Sequence, residues 1–273
     1  GGEARYLLMR SDAFRLLASW RWPLYAILMA IVCVVCLGHL AHHPIDIDDD
    51  SYFSDSADVL AGSLDFFSPQ KKFSGRPFTE FILLVTYAAV GGNPSVLHII
   101  VVCLHLLTSL LLCHLAIRMG NSQWVGMGAG FLFLISVSHF RAVFWISAVA
   151  YPLSLALGIV SILAYLLFDK SKKKKWLLLF YAVSLLAAMS HIAAVTVWFF
   201  CVFLALQKRE SQLFYQILPL GVLLGALALF FVHFYSGTPQ ISQAARVPSL
   251  VDMVQNALWF WSRLFTTAFW IPL

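Results

Sequence analysis

Charged side chains are scarce in this chain. Only 11% of its 273 residues are Asp, Glu, Lys or Arg and 61% are apolar, whereas a soluble domain carries about a quarter charged residues. That shortage, with a positive mean hydropathy, excludes a soluble fold and leaves a membrane protein. Cysteine is sparse too. The five present (Cys33, Cys36, Cys103, Cys113 and Cys201) fall inside apolar runs without metal-ligand spacing, so they read as small core residues rather than as ligands or disulfides. A repeat period, a low-complexity segment and the glycine-spaced loop of a dedicated calcium cage are also missing. The net charge of +5 comes from short basic blocks between apolar runs. Those blocks fit membrane orientation, not nucleic acid.

Acidic residues are nearly confined to one place. Eight of the thirteen lie between Asp46 and Glu80, six of them between Asp46 and Asp58 in HHPIDIDDDSYFSDSADVL, directly after the first long apolar run. The runs divide the chain into a cytoplasmic segment (1–21), a first span (22–41), an external Asp-rich loop (42–93), spans two to six (94–206), and spans seven and eight with a further external loop (207–273). The fold class expected is all-α, a polytopic transmembrane bundle of about eight spans with short interfacial helices in the external loop. Twenty residues from Trp22 to Ala41 give about 30 Å of helix, enough to cross a bilayer. This run is too long and too deep in the sequence for a secretory signal. Arg5, Arg10, Arg15 and Arg21 before it, and Lys170, Lys172 to Lys175 and Lys208 later, place the N-terminus in the cytoplasm, in a cell inner membrane or the endoplasmic reticulum. A sequence that opens GGEARY and closes within a span at Leu273 reads as a piece of a longer chain.

Within the loop, Asp50 is suited to cap a helix from Ser51 to Leu60 that stops at Gly62. Arg76 and Pro77 open FTEFILLVTYAAV, closed by Gly91 and Gly92; thirteen residues are too few to span and fit a helix lying along the surface. Span two, from Pro94 to Ile117, carries His98 and His105 on one face, and imidazoles in a membrane need internal partners whatever their role. Gln123 to Ser138 is a glycine-rich third span suited to close helix contact. His139 and Arg141 occupy a brief external turn before the fourth span, Val143 to Phe168. Trp176 to Leu206 is then thirty-one uncharged residues between basic blocks. An unbroken helix would put those blocks on opposite sides; a break at Ser190 and His191 keeps both inside. Gln216 to Tyr235, a loop with Arg246, Pro248 and Asp252, and a span from near Val254 complete the chain.

These elements together resemble the GT-C class of membrane glycosyltransferases, which use polyprenyl-phosphate sugars. DDSYFSDSA (Asp49 to Ala57) is similar to that class's acidic pair, tyrosine and alanine. Arg76 with Pro77, Tyr87, Gly91, Pro94, His98 and His105 resembles the series in the protein O-mannosyltransferases that carry TPR repeats. HFRAVFWIS (His139 to Ser147) resembles their turn before span four, and MSHIAAVT (Met189 to Thr196) their turn between spans five and six. The likeness runs from about Ile31 to Leu206. It departs at Thr86 and Val101, where the family has asparagine, at Arg141 for an acid, at Val149, Ala150 and Tyr151 for Arg-Ala-Asp, and at Ile192. The TPR arm and later spans are not in the chain.

The resemblance implies transfer of a sugar to a hydroxyl acceptor, a protein or glycan, with membrane lipid and other membrane subunits as further partners and no nucleic acid. Such a reaction needs a base for the incoming proton and a cationic cradle for the departing phosphate. Asp49 or Asp50 is the expected base, since neighbouring carboxylates repel and favour a proton on one of them. Arg76, with Lys71, Lys72 or Arg141, is the expected cradle. Asp48, Tyr52, His98, His105, His139 and His191 are supporting candidates. No metal site or cofactor is called for, with a divalent cation left open. The rival readings are a helix cap with solvated charge, a catalytically silent GT-C-like scaffold subunit, and a transporter; few ionisable groups within spans disfavour the last.

Overall fold

The computed structural model describes residues 21–44, 47–68, 71, 75–120, 122–136, 140–208 and 211–234, and the regular structure among them is entirely helical. The helices are α1 (Arg21–His42), α2 (Ile47–Leu60), α3 (Pro77–Val90), α4 (Pro94–Gly120), α5 (Gln123–Ile135), α6 (Phe140–Phe144), α7 (Ala150–Ser171), α8 (Lys174–Ser190), α9 (Val195–Gln207) and α10 (Ser211–Phe234). Tight 3-10 turns at Ile146–Val149 and Ile192–Ala194 lead into α7 and α9, and a third, Gly38–His42, ends α1.

Among the described residues, four stretches are long and apolar enough to cross a membrane: α1, α4, Ile146–Ser171 containing α7, and Gln212–Phe231 within α10. This is fewer than the eight the hydropathy pattern suggests. The expected third span is a helix of 13 residues, about 20 Å at 1.5 Å per residue, against a core of about 30 Å. Helices α8 and α9 have 17 and 13 residues. The expected external loop carrying Arg246, Pro248 and Asp252, and the eighth span expected from near Val254, lie outside the described residues.

Side-chain contacts fix the path of the chain. Trp22 meets His114 at one end of α1, and His43 meets His98 just beyond the other, so α1 and α4 run antiparallel. Asp169, near the end of α7, pairs with both Lys172 and Lys208, which brings the start of α8 and the end of α9 together. At the opposite end the Thr79 hydroxyl donates to the Ser190 carbonyl at 3.0 Å. The chain therefore reverses at Ser190 and His191, where His191 is fully extended (φ −158°). One end of the bundle gathers Trp22, Arg118, Asp169 and the lysines from Lys170 to Lys208; the other gathers α2, the start of α3 and the α8–α9 turn. Helix α7, 22 residues long or about 33 Å, separates them. Its most apolar stretch is 67% buried against 22% in α1 and α10, which makes α7 the axis of the bundle.

Close packing on α4 explains Gly126 and Gly130 of α5 but not Gly128. A Cβ at Gly130 would stand 2.8 Å from the Ser109 carbonyl oxygen, 2.8 Å from Cys113 Cβ and 2.9 Å from the Tyr25 hydroxyl, whereas one at Gly128 meets nothing within 4 Å. Gly130→Val should therefore lower thermal stability in detergent by about 1–3 kcal/mol through overpacking, and Gly128→Ala should leave it unchanged or raise it by about 0.5–1 kcal/mol. Equal melting of the two variants would contradict this packing.

Candidate functional site

Helix α2 starts at Ile47, four residues ahead of the expected start, so the acidic run forms its first turn, where the backbone dipole favours negative charge. Successive helical residues point about 100° apart, and this divides the aspartate pair. Asp50 is exposed, while Asp49 is 1% exposed. The Asp49 carboxylate accepts the Ser147 N–H at 2.6 Å and the Ile146 N–H at 3.3 Å. It thus caps the turn that opens α7, satisfying amides that a helix start leaves unpaired. Around this tie, Tyr52 and Phe53 pack with Leu83, Leu97, Val101, Ile146 and Val149.

Beside it, Arg76 immediately precedes α3, whose first residue is Pro77, the position where a missing N–H costs nothing. The half-buried Arg76 side chain lies near the Tyr52 hydroxyl, where its charge favours the phenolate, and its guanidinium lies 5.6 Å from the centre of the Tyr151 ring. Tyr151 in turn packs on His191 at 4.6 Å. Arg76, Tyr52, Tyr151 and His191, carried by the start of α3, by α2, by α7 and by the α8–α9 turn, thus form one cluster. Burial pushes the Tyr52 phenol up to about 12, with Arg76 pulling the other way, so Tyr52 is a neutral hydrogen-bonding group. Burial, and then the Arg76 charge, push His191 down to about 4. Its Nδ1 also accepts the Ala193 N–H at 3.2 Å, as a neutral imidazole can. At neutral pH His191 is no second cation, and Arg76 carries the positive charge of this cluster.

The pH dependence follows from that depression. The unfolded chain takes a proton on histidine near pH 6.5, and the folded chain resists it until about pH 4. The stabilising contribution is thus fully present above pH 6.5 and is lost as pH falls toward 4. Wild type should lose more thermal stability across that window than His191→Gln; identical pH profiles would refute the assignment.

Lys71, expected as part of a phosphate cradle, is committed elsewhere. It is 5% exposed and pairs with Glu80, 6% exposed, while Phe66 covers the ammonium at 4.4 Å. The adjoining cavity, lined by Tyr52, Asp55, Ser56, Lys71 and Glu80, is about 20 Å³, room for about one water. Glu80 also accepts the Arg76 N–H at 3.1 Å, so the ion pair and the start of α3 are one unit.

Of the remaining candidates, His98 is buried with its ring edge-on to His43 at 6.0 Å, close to the Asp49 tie. His105 lies seven residues further along α4, about 10 Å away, where its Nε2 meets the Leu134 carbonyl at 3.2 Å and its ring stacks on Phe133. It joins α4 to α5 and does not reach the cluster. Arg141 and Asp48 have their backbones in α6 and α2, with side chains outside the described residues, as are Lys72 and His139. Among the described residues no group of three His, Cys, Asp or Glu side chains is placed to hold a metal ion. Tyr151 and Glu80 emerge only from the structure as parts of the cluster; no local pattern marks Tyr151. Compared with known proteins, the chain matches no family model, no curated protein and no solved structure.

Proposed function

We propose that this chain is a membrane glycosyltransferase of the GT-C type, moving a sugar from a polyprenyl-phosphate donor to a hydroxyl acceptor at the bundle end that bears α2. The observation that carries the reading is the half-buried Arg76 guanidinium between Tyr52 and Tyr151, in the same junction as the aspartate-bearing turn of α2. The acceptor oxygen would attack the anomeric carbon, the bond from that carbon to the phosphate oxygen would break, and the polyprenyl phosphate would leave against Arg76. The acceptor's proton would pass to Asp50, the exposed member of the pair. Asp49 would position α2 against α7. No step needs a cofactor.

In this reading α5, α8 and α9 also cross within the bundle, giving with the C-terminal run about eight spans. The N-terminus and the lysine blocks are cytoplasmic, as the excess of basic residues at that end supports. Ser63 and Ser171 are both exposed, so an impermeant thiol reagent added from outside should label Ser63→Cys and spare Ser171→Cys. The opposite labelling would end the proposal.

A second reading, a silent GT-C-like scaffold, is favoured by Asp49, whose oxygens are occupied by backbone amides. The deciding experiment is transfer of label from a polyprenyl-phosphate sugar to peptide or glycan acceptors by purified protein. Folded protein that transfers nothing to any acceptor, while co-purifying with other membrane subunits, would establish the scaffold instead.

A further inference from the structure

At the lysine-rich end a second, larger cavity opens between α4, α7 and α9. It measures about 400 Å³, twenty times the space beside Lys71. Its wall is Leu163, Leu166 and Leu167, one stripe along α7, because positions three and four apart share a helix face. Its rim carries three cations from three different helices or their ends: Arg118 of α4, Lys170 of α7 and Lys208 after α9. Asp169, the acid in the lining, is shared with Lys172 and Lys208. Three cations against one carboxylate leave the rim net positive. Arg118 and Lys170 are exposed; the Arg118 Nε donates to His114 at 3.4 Å, which steadies the guanidinium at the cavity edge.

We infer that this cavity is a binding site for an anionic glycerophospholipid, its phosphate on Arg118, Lys170 and Lys208 and an acyl chain along the leucine stripe of α7. The division of the lining decides between sources of phosphate. A free phosphate ion gains nothing from an apolar wall, whereas a lipid uses both halves, and basic pockets between transmembrane helices at the cytoplasmic face hold anionic headgroups. The fork of Arg118 suits two phosphate oxygens, and the flexible lysines add point charges. This site lies a full α7 length from Arg76 and is independent of the transfer reaction.

Native mass spectrometry of the purified protein, titrated with phosphatidylglycerol or with phosphatidylcholine of the same chains, tests the inference. Wild type should retain phosphatidylglycerol in preference. The double variant Arg118→Gln/Lys170→Gln should lose that preference by about tenfold or more, since each basic contact to an anionic headgroup adds measurably to retention. Lys173→Gln/Lys175→Gln removes the same charge at the same end but outside this cavity, and should keep it. Equal losses in both double variants would mean general surface attraction and overturn the site. Displacement of bound lipid by millimolar inorganic phosphate would make it a free-anion site, and a wild type without preference would remove it outright.

Discussion

If the chain transfers a sugar as proposed, Asp50→Asn should leave the protein folded and reduce transfer from a polyprenyl-phosphate sugar by about 100- to 10,000-fold, the range expected when a general base is lost. The amide keeps the shape of the side chain but cannot take the acceptor's proton. Asp50 is exposed on the first turn of α2, so its neutralisation disturbs no buried contact. Asp49→Asn acts differently. One of its two carboxylate oxygens becomes an NH2 facing a backbone N–H that now lacks an acceptor, and an unsatisfied buried donor costs about 1–3 kcal/mol. Reduced thermal stability should therefore accompany any loss of transfer in Asp49→Asn and be absent in Asp50→Asn. Transfer and melting measured on both variants separate the roles. Full activity in Asp50→Asn, with loss confined to a normally stable Asp49→Asn, would reverse the assignment.

The other large effect concerns Glu80. Glu80→Ala strands the Lys71 ammonium where it is 5% exposed, and breaking a buried pair from one side costs about 3–5 kcal/mol. It also removes the acceptor of the Arg76 N–H, so the start of α3 loosens together with the cluster on Arg76. The double variant Lys71→Met/Glu80→Leu should regain most of the loss, because an apolar pair of similar volume leaves no uncompensated charge. Unfolding in detergent gives both values. Wild-type stability in Glu80→Ala would show that Lys71 reaches water.

What the sequence discloses here is set by the range of each signal. The four long helices are legible because apolar length is a local property. The turn at Ser190 and His191 is legible because basic blocks on both sides of an uncharged run demand it, and the shared grip of Asp169 on Lys172 and Lys208 is its structural counterpart. Helix α3 follows from Pro77 and from Gly91, which takes the left-handed conformation at its end (φ 65°). The length of α5 is not legible, since Ser136, Val137 and Ser138 carry no charge that would end a span, yet the helix stops at Ile135. Neither is the fate of the aspartate pair: which carboxylate turns inward depends on a helix start four residues earlier than the capping pattern suggests. Lys71 looks like any exposed loop lysine until Glu80 is placed nine positions away.

The tie between Asp49 and the start of α7 also bears on the order of assembly. It joins residues 97 and 98 positions apart, and closing a flexible loop of that length costs about 4 kcal/mol of chain entropy, more than a single capped turn returns. The acidic turn therefore cannot nucleate the bundle. It should dock last, on α4 and α7 already packed, and by the same reasoning be the first part to lift away. Amide hydrogens of Ile146 and Ser147 should exchange with solvent at the rate of that opening, faster than those of mid-α7, so the cluster on Arg76 would assemble and come apart while the rest of the bundle stays closed.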